Sequence, residues 1–218
     1  MIRRRALGVL AAGLASAAFA AGAAAAPAKP AKATAWVTAQ GDMALGDPKA
    51  KVEVVEYASL TCGHCAAFNA EVFPALKAKY VDTGKVRYVL KEFLTAPAEV
   101  AAAGFLTARC AGPAKYFEVV DAMFRSQVDW ETKGVRASLM AAGAKGGLSE
   151  DKVIACAQDD AGLTALDARM ERARAEGVRA TPTFKVNGVL AKEGVITLAE
   201  LEKAIAEAAK ATSKPKPK

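Results

Sequence analysis

Residues 51–65 read KVEVVEYASLTCGHC, and their order decides the architecture. Val52 to Tyr57 is a β-rich run, dense enough in apolar residues for a central, buried strand. Gly46-Asp47-Pro48 supplies a turn before it. Cys62 and Cys65 follow, three apart, and open a helical pattern in which Val72, Phe73, Leu76 and Tyr80 recur, with Pro74 as a kink. Asp82-Thr83-Gly84 then turns the chain into a second strand, Lys85 to Phe93. The stretch is a βαβ unit whose helix begins at the cysteines.

Downstream, from about Ala96 to Gly177, only helical patterns occur. Pro97 suits a first helical position, and Gly112-Pro113 closes that helix. A second helix carries Tyr116, Phe117, Val120 and Phe124, and a third spans the region of Val135 to Ala144. Ser149 starts a fourth, and a fifth covers Ala161 to Glu176. Sheet signals then return: Thr183 to Val186 and Val189 to Ala191 flank Asn187-Gly188, a two-residue hairpin turn. Thr197 and Glu200 form a capping box for a last amphipathic helix through Leu201, Ile205 and Ala208. An α/β fold interrupted once by a helical block excludes a simple bundle and a β-sandwich.

The N-terminus joins Arg3-Arg4-Arg5 to a weakly apolar, Ala-rich run ending near Ala26, the pattern of a cleaved export signal. The expected division is therefore signal peptide 1–26, linker 27–40, a first α/β part 41–95, the helical insertion 96–177, a second α/β part 178–210 and a basic tail 211–218. The net charge of +7 does not mark a nucleic-acid binder. Arg3, Arg4, Arg5, Lys29, Lys32, Lys214, Lys216 and Lys218 all lie in the signal, linker or tail, and without them the remainder is near neutral. A periplasmic or otherwise extracytoplasmic location is the expectation, with no nucleic-acid partner.

Four cysteines in an exported chain suggest two disulfides, or one redox-active and one structural pair. Cys62 stands where a strand hands over to a helix, and a helix N-terminus stabilises an anion. Such positions lower a thiol pKa from about 8.5 to roughly 3.5–7.5. Cys62 is the expected nucleophile, and Cys65, one turn on, the resolving thiol of a redox-active disulfide. His64, the only histidine of the chain, can donate to the Cys62 thiolate. A zinc site would need a second ligand pair at short spacing, and Cys110 and Cys156 are isolated, so no metal is expected. One per helix in the insertion, these two read as a structural disulfide, with two buried free thiols as the other reading.

The run Glu56 to Cys65, the helical insertion and Thr181-Pro182-Thr183 together resemble the thioredoxin-fold proteins, most closely the DsbA-type thiol:disulfide interchange proteins of the periplasm. The resemblance covers about residues 41 to 210. It implies a thioredoxin fold with an inserted all-helical domain, no cofactor, and a cis Pro182 facing the cysteines. Thr181 would offer backbone hydrogen bonds to a substrate strand. Glu56, six residues before Cys62, matches a buried acid that relays a proton to or from Cys65, with Lys91 or Arg87 as its partner. The implied partners are reduced or misfolded exported proteins and a membrane oxidase of the DsbB type, for a monomeric enzyme. Gly63-His64 between the cysteines resembles the eukaryotic protein disulfide isomerases instead, and Thr181 the isomerase-type members. Oxidase, isomerase and reductase therefore all stand, beside a non-enzymatic binding or chaperone module on the same scaffold.

Overall fold

In the computed structural model, which describes residues 33–213, the VEVVEYA run is β3 (Val52–Ala58), buried at every position but Glu53. Its neighbour β4 (Val86–Glu92) runs parallel to it, pairing Val54 with Tyr88 and Glu56 with Leu90. On the other side β5 (Thr183–Val186) is antiparallel, pairing Glu56 with Phe184. Two short strands, β1 (Ala35–Val37) and β2 (Met43–Leu45), extend the β4 side, and β6 (Val189–Glu193) closes the β5 side. The sheet order is β1-β2-β4-β3-β5-β6, so the strand that delivers the cysteines is internal.

β1 corrects the expected linker over 27–40. Three residues, Ala-Trp-Val, pair with β2, and the Trp36 indole donates to the Gly46 carbonyl at 3.1 Å. A strand that short shows no alternation to detect in sequence. The proposed signal peptide and residues 214–218 of the tail lie outside the described residues, and residues 211–213 of the tail are the end of the last helix.

After β3 the chain forms α1 (Gly63–Glu71) and α2 (Phe73–Leu76), followed by a π-helical turn at Lys77–Val81. Pro74 cannot donate to the preceding turn, and the helix breaks at Val72 beside it. The helices α3 (Ala98–Cys110), α4 (Pro113–Ser126), α5 (Trp130–Lys133), α6 (Val135–Lys145), α7 (Glu150–Ala157) and α8 (Asp160–Ala175) separate β4 from β5. Pro113 opens α4 rather than closing α3. The β5–β6 turn has Asn187 and Gly188 at positive φ, as the hairpin requires. In α9 (Leu198–Ser213) the capping box is made: Thr197 N donates to Glu200 Oε2 at 2.9 Å, and Glu200 N to Thr197 Oγ1 at 3.2 Å.

Strand alternation sorts the core into two faces. Val52, Val54, Ala58, Tyr88, Leu90, Phe184 and Val186 pack against α1, α3, α4 and α9. Val55, Tyr57 and Val89 pack against Met170 and Ala173 of α8. Cys110 and Cys156 form a disulfide between α3 and α7, so the free-thiol reading falls. Gly104 lets α3 approach the loop after β3, because a Cβ there would lie 2.7 Å from Leu60 Cδ1.

Candidate functional site

The cysteines sit where the sequence places them, at the end of the central strand. Cys62 is the N-cap of α1, in extended conformation, and its Sγ accepts from the Cys65 N–H at 3.4 Å. Cys62 is half-buried and Cys65 fully buried, both as free thiols. Their environments push the two sulfurs apart. The Cys65 thiol beside it, the Thr181 side chain and the N–H groups of Cys65 and His64 bring Cys62 down to about 5, outweighing partial burial. Burial first, then the Cys62 contact and the Glu56 charge, pushes the Cys65 thiol far up. The result is one thiol that ionises readily and one that keeps its proton.

The Thr181–Pro182 peptide bond is cis, and the Cys62 thiol donates to the Thr181 carbonyl at 3.4 Å. Pro182 is followed directly by β5, so the loop carrying it is fixed to the same central strand that carries the cysteines. His64 is exposed, and its backbone N–H is among the groups that lower Cys62.

Glu56 lies one strand pair from Phe184 and is 1 % exposed. Desolvation, with a smaller contribution from the Cys62 charge, raises its carboxyl to about 8 against the opposing Tyr88 hydrogen bond. Tyr88 OH donates to Glu56 Oε2, and Oε1 has no hydrogen-bond partner. The expected partners of Glu56 are both wrong. Arg87 pairs with Glu53 at 2.8 Å and Lys91 with Glu176 at 2.7 Å. In the parallel register Glu56 lies opposite Leu90, which shares its face with Tyr88, while residues 87 and 91 alternate to the other face.

Residues that sequence reading missed complete the surroundings. Thr61 Oγ1 bonds the Thr95 carbonyl at 3.0 Å, and Thr95 N donates to Ser59 Oγ at 3.1 Å, tying the loop after β4 to the cysteine loop. From the helical insertion, Gln127 Nε2 donates to the Leu60 carbonyl at 2.7 Å. Nothing local in the sequence announces these contacts, which join positions 34 to 67 residues apart.

Comparison with known proteins gives the same picture. The family described as thioredoxin matches residues 38–207. A Rickettsia bellii protein whose name proposes a protein-disulfide oxidoreductase is 35% identical over 173 residues, covering 77% of this chain and 66% of the relative. The chain spans between about half and two thirds of the length of the curated relatives it matches. Among solved structures, alpha-DsbA1 of Wolbachia pipientis superposes with a TM-score of 0.72 at 28% identity, over 81% of this chain and 94% of that one. Oxidised BdbD from Bacillus subtilis shares the fold at a TM-score of 0.69 and 20% identity, over 83% of this chain and 99% of that one.

Proposed function

Because the chain belongs to the thioredoxin family, in its DsbA-like branch, we propose that it is a thiol–disulfide oxidoreductase that donates its Cys62–Cys65 disulfide to exported proteins. The observation that carries this reading is the placement of Cys62 at the N-cap of α1, its Sγ accepting from the Cys65 N–H, beside a fully buried Cys65. A stabilised thiolate favours the reduced pair over the disulfide, and a couple that prefers to be reduced is an oxidant.

In this reaction a client thiolate attacks Cys62 Sγ of the disulfide and forms the mixed disulfide, and Cys65 leaves. A second client thiol then attacks the client sulfur of that bond and releases Cys62 as a stable thiolate. Thr181, in the cis-Pro loop, offers its backbone to an extended client segment beside Cys62. The same pair run backwards lets Cys65 resolve a mixed disulfide that has formed with the wrong client. Export through residues 1–26 and reoxidation by a membrane partner of the DsbB type belong to the same proposal. No helix of the described residues is long and apolar enough to cross a membrane.

The deciding experiment is the redox equilibrium of the Cys62–Cys65 pair against glutathione, together with alkylation trapping of its state in the cell. A couple more oxidising than about −200 mV, found oxidised, is expected. A couple near −270 mV or below, found reduced, would assign the protein to reduction or isomerisation instead. Unchanged function in Cys62→Ser would point to the scaffold reading.

A further inference from the structure

The carboxyl of Glu56 has to recover a proton each time it gives one away, and its surroundings leave few routes. Glu56 is 1 % exposed and Cys65 is fully buried, and a client on Cys62 would cover the sulfur side further. The titratable groups facing it are Cys62 at the N-cap of α1, Cys65 of α1 and Tyr88 of β4, with Tyr116 of α4 beyond Tyr88. No lysine or arginine hydrogen-bonds its carboxyl among the described residues.

Tyr88 has two neighbours of different kinds. Its hydroxyl bonds Glu56 Oε2, and the residue lines a cleft of about 340 Å³ between α1–α2 and α4. Phe73, Phe117, Asn69, Asp121 and Arg125 also line that cleft. Asp121 and Arg125 keep 42% and 59% of their side chains exposed, so the cleft reaches solvent. The Tyr88 ring is fixed between Phe73, 4.7 Å away, and Phe117, 6.1 Å away.

We propose that Tyr88 is a positioning residue that holds the Glu56 carboxyl for proton transfer with Cys65 and connects it to water in the cleft. The proposal rests on reading the Cys62–Cys65 pair as an exchange centre. When a client thiolate attacks Cys62, the client–Cys62 bond forms, the Cys62–Cys65 bond breaks, and the electron pair leaves on Cys65 Sγ. Glu56 gives its proton to that thiolate. Tyr88 then passes its hydroxyl proton to Glu56 Oε2 while taking one from a cleft water, which buffer acid replenishes. The tyrosine stays neutral throughout, as its burial and its carboxylate neighbour demand.

Tyr88→Phe in the full chain tests this, because it keeps the ring between Phe73 and Phe117 and removes only the hydroxyl. Infrared titration follows the Glu56 carboxyl, whose band is the one lost in Glu56→Gln. In Tyr88→Phe its midpoint should rise and its hydrogen–deuterium exchange should slow about tenfold. Exchange with a reduced peptide should slow about tenfold, less than the roughly 10²–10⁴-fold of a full acid–base contribution, because the Glu56 carboxyl itself remains. In a Glu56→Gln background the same change should alter the rate less than about twofold, since Tyr88 acts through Glu56. An unchanged infrared midpoint and exchange, or a full tenfold loss in the Glu56→Gln background, would overturn the proposal. The infrared readouts use no client, so failure of the oxidoreductase reading would show separately, as a wild-type protein with no exchange activity.

Discussion

In its protonated form the thiol of Cys62 donates to the carbonyl oxygen of Thr181 at 3.4 Å, between residues 119 apart in the chain. That contact closes only when β5 has paired with β3, after the whole helical insertion has been passed. The Cys62 sulfur therefore lies between both halves of the sheet, with the start of α1 on one side and the cis-Pro loop on the other.

The first consequence concerns pH. With Cys62 at about 5, the thiolate absorbance of the reduced protein should titrate with a midpoint near pH 5, while Cys65 stays protonated. The folded pKa lies below the ordinary cysteine value of 9.0. Cys62 therefore adds stability to the reduced form that is full above that ordinary value and lost as pH falls through 5. Denaturant midpoints of the reduced and oxidised forms should diverge in favour of the reduced form as pH rises from 5 towards 9. A midpoint of thiolate absorbance above pH 8 would contradict this.

Thr181→Val should move that midpoint upward. The Thr181 side chain helps to stabilise the Cys62 thiolate, whereas the backbone N–H groups of His64 and Cys65 remain in the variant. The thiolate midpoint should thus shift part of the way towards the ordinary value, and the couple should become less oxidising. A couple that becomes more oxidising in Thr181→Val would show that the hydroxyl acts on the disulfide form instead.

The chemistry-bearing core of this site is legible in sequence because it is local. Thr181-Pro182 is read only through the resemblance to DsbA-type proteins, whereas Cys62 and Cys65 carry their meaning in a three-residue spacing at a strand–helix junction. The helical insertion is legible for the same reason, through periodicity and its Pro and Gly punctuation. The partner of Glu56 is not local. It depends on the parallel register that sets Glu56 opposite Leu90, and Tyr88 in an apolar strand run looks like any core tyrosine. Gln127 is hidden in the same way, since its bond to the Leu60 carbonyl joins a helix end to a loop 67 residues earlier. β1 escapes because three residues cannot display a period.

The Cys110–Cys156 disulfide joins α3 to α7 within the insertion, its ends 46 positions apart in the chain. Replacing both cysteines by serine should lower the unfolding free energy by about 2–4 kcal/mol, mostly through a freer unfolded chain. Urea unfolding measures this. The thiolate midpoint of Cys62 should not move in the same variant, because neither cysteine touches the site. A loss under about 0.5 kcal/mol would mean that the unfolded chain is already restricted without the bridge.

The strongest effect on stability is expected at Glu92, whose side chain is fully buried at the end of β4. Arg109 of α3 donates to it at 2.6 Å, Arg169 of α8 at 2.8 Å, and Tyr116 of α4 at 2.9 Å. One carboxylate thus ties the sheet to three helices of the insertion. Glu92→Gln keeps the shape and removes the charge, leaving two guanidinium groups, with 22% and 7% of their side chains exposed, facing a neutral amide. Breaking a buried ion pair from one side costs about 3–5 kcal/mol, because the remaining charges stay desolvated. Tyr116→Phe removes a single hydrogen bond to the same carboxylate and should cost about 1.5–3 kcal/mol. Urea midpoints should therefore fall further in Glu92→Gln than in Tyr116→Phe. If the two variants fall equally, the carboxylate acts as a hydrogen-bond acceptor alone and the paired arginines add nothing to the joint.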